Sequence, residues 1–213
     1  MRPMLIITLA ACVLWSGTGR AAFKPTQELI AVYKDRNGKN WAKAGDLHKR
    51  ALKVKNTLAQ EPLGDAPFAH AYASAAVDRA FQLRNMSLRG LRHAEDAGYA
   101  RFFKAKHLDR ARGELVLVDA QMSALEAEVK KAERAPAYLR TLAAMTRRRM
   151  NKFMAKDIGT TTRAAVAGLR RAIDLIDGPL EKLTDAQLDQ VRETLLRADE
   201  NFANLEALFG RGK

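Results

Sequence analysis

Two stretches of this chain place apolar residues at alternating three- and four-residue intervals. The first is Leu108, Ala111, Leu115, Val118, Met122, Leu125, Val129 and Ala132; the second is Leu188, Val191, Leu195, Ala198, Phe202, Leu205 and Phe209. An α-helix turns every 3.6 residues, so this spacing lays a narrow apolar seam along one side of a rod. Aromatics make up only 7% of the chain and there are six prolines, a composition that favours helix over a β-sandwich. The fold class expected is therefore all-α, an elongated antiparallel, coiled-coil-like bundle. Two destinations for the seams stay open, an intramolecular core or homodimer packing.

The first 21 residues stand apart. Arg2, the apolar run Leu5–Trp15 and the small residues flanking Arg20 have the layout of a secretory signal peptide, with the mature chain starting near Ala22. The run is too short to span a bilayer, which takes about 20 helical residues, and no later segment approaches that length without a charge. Leu9-Ala10-Ala11-Cys12 resembles a bacterial lipobox, which makes Cys12, the lone cysteine, a candidate for lipidation; ordinary cleavage would remove it instead. Either way the folded domain, residues 22–213, has no disulfide and relies on core packing. It is expected to be exported, periplasmic in the first instance, with lipid-anchored or secreted forms as alternatives.

Punctuation divides the mature chain into about seven helices joined by short loops, so consecutive helices should run antiparallel. The Asn37-Gly38 pair ends the first, and Asn40 starts a second that runs to about Gln60, with Trp41, Ala44, Leu47, Ala51, Val54 and Leu58 on one side. After a Pro- and Gly-bearing loop, a long pattern with Phe68, Tyr72, Ala76, Val77, Phe81, Leu88 and Leu91 on its buried face reaches Arg134, with a break expected near Gly98. Pro136 opens the fifth helix, to about Asp157, and Gly159 closes it. The sixth, capped by Thr160 or Thr161, stops at Asp177-Gly178-Pro179. Thr184-Asp185-Ala186-Gln187 is a capping box, stapled by Leu183 and Leu188, that opens the last helix; residues 210–213 are a frayed tail.

Signals for catalysis are weak. His48, His70, His93 and His107 are isolated from one another, and His93 and Glu95 point apart on a helix, so no metal site or cofactor is expected. Ser74, Ser87 and Ser123 sit in no nucleophile elbow, and no phosphate-binding glycine loop appears.

Charge is the remaining lead. The full chain carries +13, and residues 134–171 alone hold ten basic residues against Asp157, while residues 172–213 are net −4. Such asymmetry can create a positive face. Arg147, Arg148, Arg149, Lys152 and Lys156, extended by Arg170 and Arg171, form the candidate anion-binding surface, with Lys49, Arg50, Lys53 and Lys55 as a second cluster. The bland alternative is a solvated Arg-rich surface without a ligand. For an exported protein the anion would be a lipid headgroup, lipopolysaccharide, a cell-wall polymer or an acidic protein. Nucleic acid is not expected, since the aromatics that stack single strands are not interleaved with the bases.

Leu183-Thr184-Asp185-Ala186-Gln187 is similar to the Leu-Thr-x-x-Gln motif of the small helical periplasmic Spy/CpxP-like proteins, whose resemblance implies a chaperone-like role. The match spans five residues and occurs once, where that family carries the motif twice. The expectation is thus a non-enzymatic exported binding or structural protein of the bacterial envelope with a basic face. The alternative is a holdase-type chaperone or assembly factor with an apolar groove between helices.

Overall fold

The computed structural model describes residues 26–60, 66–154 and 160–210. Among these the chain forms six α-helices and one 3-10 turn: α1 Gln27–Leu58, α2 Ala66–Tyr99, α3 Lys104–Glu133, α4 Pro136–Met154, α5 Thr160–Ile176, the turn Leu180–Lys182, and α6 Asp185–Gly210. The expected signal peptide, Cys12, Lys156, Gly159 and residues 211–213 lie outside the described residues. None of the described helices is long and apolar enough to cross a membrane.

The all-α expectation holds, with one helix fewer. Asn37-Gly38 does not end a helix; α1 runs through it. The reason is an uninterrupted seam of Ile30, Tyr33, Asn37, Asn40, Ala44, Leu47, Ala51, Val54 and Leu58, spaced three and four apart across the pair. Asn37 is fully buried, and its Nδ2 donates to the Tyr33 carbonyl one turn back at 2.9 Å. A turn signal is overridden when both flanks share one buried stripe. Thr26 caps the helix, its hydroxyl accepting from the Leu29 N–H at 3.2 Å.

α2 also differs from expectation. Tyr72 and Phe81 are exposed. Ala76 and Val77 are buried as expected, but the stripe continues through Ala73, Ala80, Leu83, Ser87, Ala94 and Ala97, and the Phe68 side chain lies outside the described residues. Small residues let α2 lie close against both neighbours, and Ser87 satisfies its buried hydroxyl by donating to the Leu83 carbonyl at 2.8 Å. The α3 seam is buried at every expected position. Both seams close within the chain: Val191, Leu195, Ala198 and Phe202 of α6 belong to the same core as Leu139, Leu142, Leu169 and Ile173.

The first three helices make an antiparallel bundle. At 1.5 Å per residue it is roughly 45–50 Å long. Its middle is filled by Leu47, Leu83, Val118, Leu125 and Val129. At one end Val54, Leu58, Ala73 and Ala132 merge with the core of α4, α5 and α6. At the opposite end a small cluster of Ile30, Ala97 and Leu108, with Tyr33 against it, lies under the corner between α2 and α3.

Two polar networks fasten the halves. Glu133, buried at the end of α3, accepts from Arg50 Nε and NH2 at 2.8 and 2.7 Å and from Arg192 of α6 at 2.7 Å. Next to it Arg134 donates to both oxygens of Asp189 and to Asp185. Thr184 and Gln187 form the expected capping box, Thr184 N–H donating to Gln187 Oε1 at 2.9 Å and Gln187 N–H to Thr184 Oγ1 at 3.3 Å.

Candidate functional site

Among the described residues of 134–171 the bases do not form one free face. Arg147 donates to Asp177 at 3.1 Å, Arg149 pairs with Asp199 and lies 3.9 Å from Glu206, and Arg140 lies 3.8 Å from Glu181. Arg148 is engaged as well. The acidic C-terminal segment folds back onto the basic one, so Arg134, Arg140, Arg147 and Arg149 meet carboxylates of residues 177–206 instead of facing solvent alone. Lys152, Arg170 and Arg171 are exposed, Arg171 lying 3.5 Å from the Ala167 carbonyl, and Lys156 is outside the described residues. In the second cluster Arg50 is tied to Glu133 while Lys49 and Lys53 are exposed.

A different surface emerges at the corner joining α2 to α3. α2 stops at Tyr99, and the chain reverses through residues 100–103 to start α3 at Lys104. Gly98 remains helical; the reversal is made by Phe103, whose φ of 66° places a non-glycine residue in the left-handed region. That conformation is uncommon for a bulky side chain and costs on the order of 1 kcal/mol or more. Nothing in the core repays it. Tyr99, Phe102 and Phe103 are 89%, 71% and 73% exposed.

The corner is also cationic. Between Ala97 and Leu108 the chain carries Arg101, Lys104 and Lys106 and no acidic residue. The Arg101 guanidinium lies 6.0 Å from the centre of the Phe102 ring. Ile30, in the second turn of α1, approaches Gly98 to within ordinary contact distance, so α1 begins at this same end.

No protein-family model, curated protein or solved structure matches the chain. The Spy/CpxP-like resemblance therefore rests on Leu183–Gln187 alone, and here those residues act as a helix cap.

Two other features were hidden in the sequence. A cleft of about 990 Å³ opens between α2, α3, α4 and the start of α6, with Ala69, Tyr72, Ala127 and Pro136 on its walls and both bases, Lys130, Lys131, Arg134 and Arg140, and acids, Glu181 and Asp185, around it. Lys131 Nζ stands 5.0 Å from the Tyr72 ring centre. Finally, His93 and His107, on different helices, face each other below the corner with ring centres 6.0 Å apart. Tyr99, Phe102 and Phe103 lie among Arg101, Lys104 and Lys106, so the expectation that aromatics are not interleaved with the bases fails at this corner, and only the fold reveals that these rings are not core.

Proposed function

We propose that this chain is a non-enzymatic helical binding protein of the bacterial envelope, and that it contacts an anionic lipid surface with the α2–α3 corner rather than with residues 147–156. One observation carries the reading: three aromatic side chains, each more than two-thirds exposed, are presented with Arg101, Lys104 and Lys106 by the turn at one end of the three-helix bundle. Aromatic rings partition into the headgroup region of a bilayer, and each nearby Lys or Arg adds about 1 kcal/mol of attraction to an anionic leaflet. Scattered exposed apolar residues are normal on a protein surface, whereas three at one strained turn are not. α1 also begins at this end, where Ile30 packs with Ala97 and Leu108.

Co-sedimentation with vesicles of phosphatidylglycerol and phosphatidylcholine tests the reading. Replacing Phe102 and Phe103 by serine should weaken binding at least tenfold. Replacing Arg101, Lys104 and Lys106 by glutamine should abolish the preference for anionic vesicles and its salt dependence. A variant with glutamine at Arg147, Arg148 and Lys152 should bind as the parent does. Unchanged binding by both corner variants rejects the proposal, and loss on altering residues 147–152 would return the contact to that segment.

The alanine-lined cleft beside Tyr72 favours a second reading, a holdase-type chaperone that receives apolar segments there. Suppression of client aggregation that persists at high salt and is lost in Ala127→Glu would support it.

A further inference from the structure

We infer that His93, Asp96 and His107 form a binding site for a borderline divalent transition metal, with zinc as the reference ion, which braces the α2–α3 corner. This goes beyond the lipid-contact reading and does not depend on it.

The site is assembled by the corner itself. His93 and Asp96 are three residues apart on the last turns of α2, so both project from one helical face. His107 lies in the first turn of α3, which the reversal at Phe103 carries back over that face. His93 Nδ1 is 4.0 Å and His107 Nδ1 3.7 Å from the same Asp96 carboxylate oxygen, and a donor atom from each of the three residues lies within 4.8 Å of the others.

These distances are too long for hydrogen bonds and suit a shared ion. Donors bound at about 2.0–2.2 Å to one tetrahedral centre sit roughly 3.4 Å apart, so the two edges to Asp96, 4.0 and 3.7 Å, must shorten by about 0.6 and 0.3 Å, and the edge between the histidines, at most 4.8 Å, by up to about 1.4 Å. Both Nδ1 atoms are buried and neither has a hydrogen-bond partner. Buried polar atoms are normally satisfied, and two ring nitrogens left bare towards one carboxylate call for a common partner. Half-exposed Asp96 supplies a negative charge and a route for the ion from solvent.

Two imidazoles and one carboxylate select the middle of the ligand-softness range: zinc, cobalt, nickel or copper rather than magnesium or calcium. Three protein ligands leave a coordination position for water or for an incoming anionic group. The ion would link the end of α2 to the start of α3 across the turn that carries Phe102 and Phe103. It would hold the left-handed turn in place and add positive charge behind the exposed rings.

The experiment is calorimetric titration of the purified, tag-free, chelator-treated protein with zinc chloride, with a parallel cobalt titration followed by visible absorption. One equivalent of zinc should bind and raise the melting temperature, and cobalt should give the d–d bands of a nitrogen- and oxygen-ligated ion. His93→Gln and His107→Gln should each weaken zinc at least a hundredfold and remove the thermal shift, Asp96→Asn should weaken it at least tenfold, and His48→Gln should behave as the parent. No saturable binding up to millimolar zinc overturns the site. So does binding that survives in both histidine variants, provided circular dichroism shows them folded; vesicle binding is scored separately and bears only on the lipid proposal.

Discussion

Gly90 lies against Asn37 so closely that a β-carbon on residue 90 would stand 2.7 Å from the Asn37 Cγ and 3.2 Å from the Glu114 Cβ. α1, α2 and α3 all meet at this point. A buried amide on one helix meets a missing side chain on the next, and the amide also reaches towards the Ala111 carbonyl of the third at 3.5 Å.

Two glycine substitutions should therefore have opposite signs. Gly90→Ala gains helix propensity but forces three packed helices apart, and should destabilise by about 1–3 kcal/mol. Gly38, in the interior of α1, has nothing within 4 Å of its β-position, and Gly38→Ala should stabilise by about 1 kcal/mol. Urea midpoints of the two variants at neutral pH read both effects.

Glu133→Gln should be among the most damaging polar substitutions. The carboxylate is the shared acceptor for Arg50 and Arg192, and the hydrogen bond to Glu133 is the main cause of the raised Arg50 pKa. Removing its charge leaves Arg192, whose side chain is only 15% exposed, facing a neutral amide. A loss of about 3 kcal/mol in denaturant unfolding is expected, as for other one-sided breaks of a largely buried ion pair.

Acid should loosen the attachment of α6. The Arg134 guanidinium, through its hydrogen bonds, holds Asp189 below the usual carboxylate range, and Lys43 does the same for Glu126. A carboxylate with a depressed folded-state pKa adds stability above its unfolded value of about 4 and loses it as pH falls further through the folded value. Asp189→Asn should thus be less stable than the parent at pH 7. The gap should narrow below about pH 4 and vanish at the lowest pH, as read by thermal melts across that range. A gap independent of pH would mean that Asp189 acts through packing alone.

Phe103→Gly should separate stability from contact. Glycine accepts φ of 66° without steric strain, and the ring it removes is largely exposed. Folding stability should stay equal or rise by up to about 1 kcal/mol, while vesicle binding weakens severalfold. A variant that both melts early and keeps its vesicle affinity would assign the ring to the fold instead.

The helical seams were readable because burial in a rod imposes a period that sequence spacing carries directly. All eight positions from Leu108 to Ala132 are buried. The capping box at Thr184 was readable too, since its hydrogen bonds join residues three apart. The seam of α2 was not, because alanine suits either face of a helix and only the neighbour's closeness decides which alanines are covered. The Asn37-Gly38 pair misled for a related reason: its local preference for a turn is weaker than the packing on both sides of it.

Sequence alone determined the all-α class, most helix ends and the register of the long seams, since each depends on residues within a few turns of one another. Only the tertiary structure decided which charges remain free and which side chains converge. Arg149 meets Asp199 and His93 meets His107 through folding. Coulombic pairing and ligand geometry act through space, and no spacing along the chain encodes the distance between two helices.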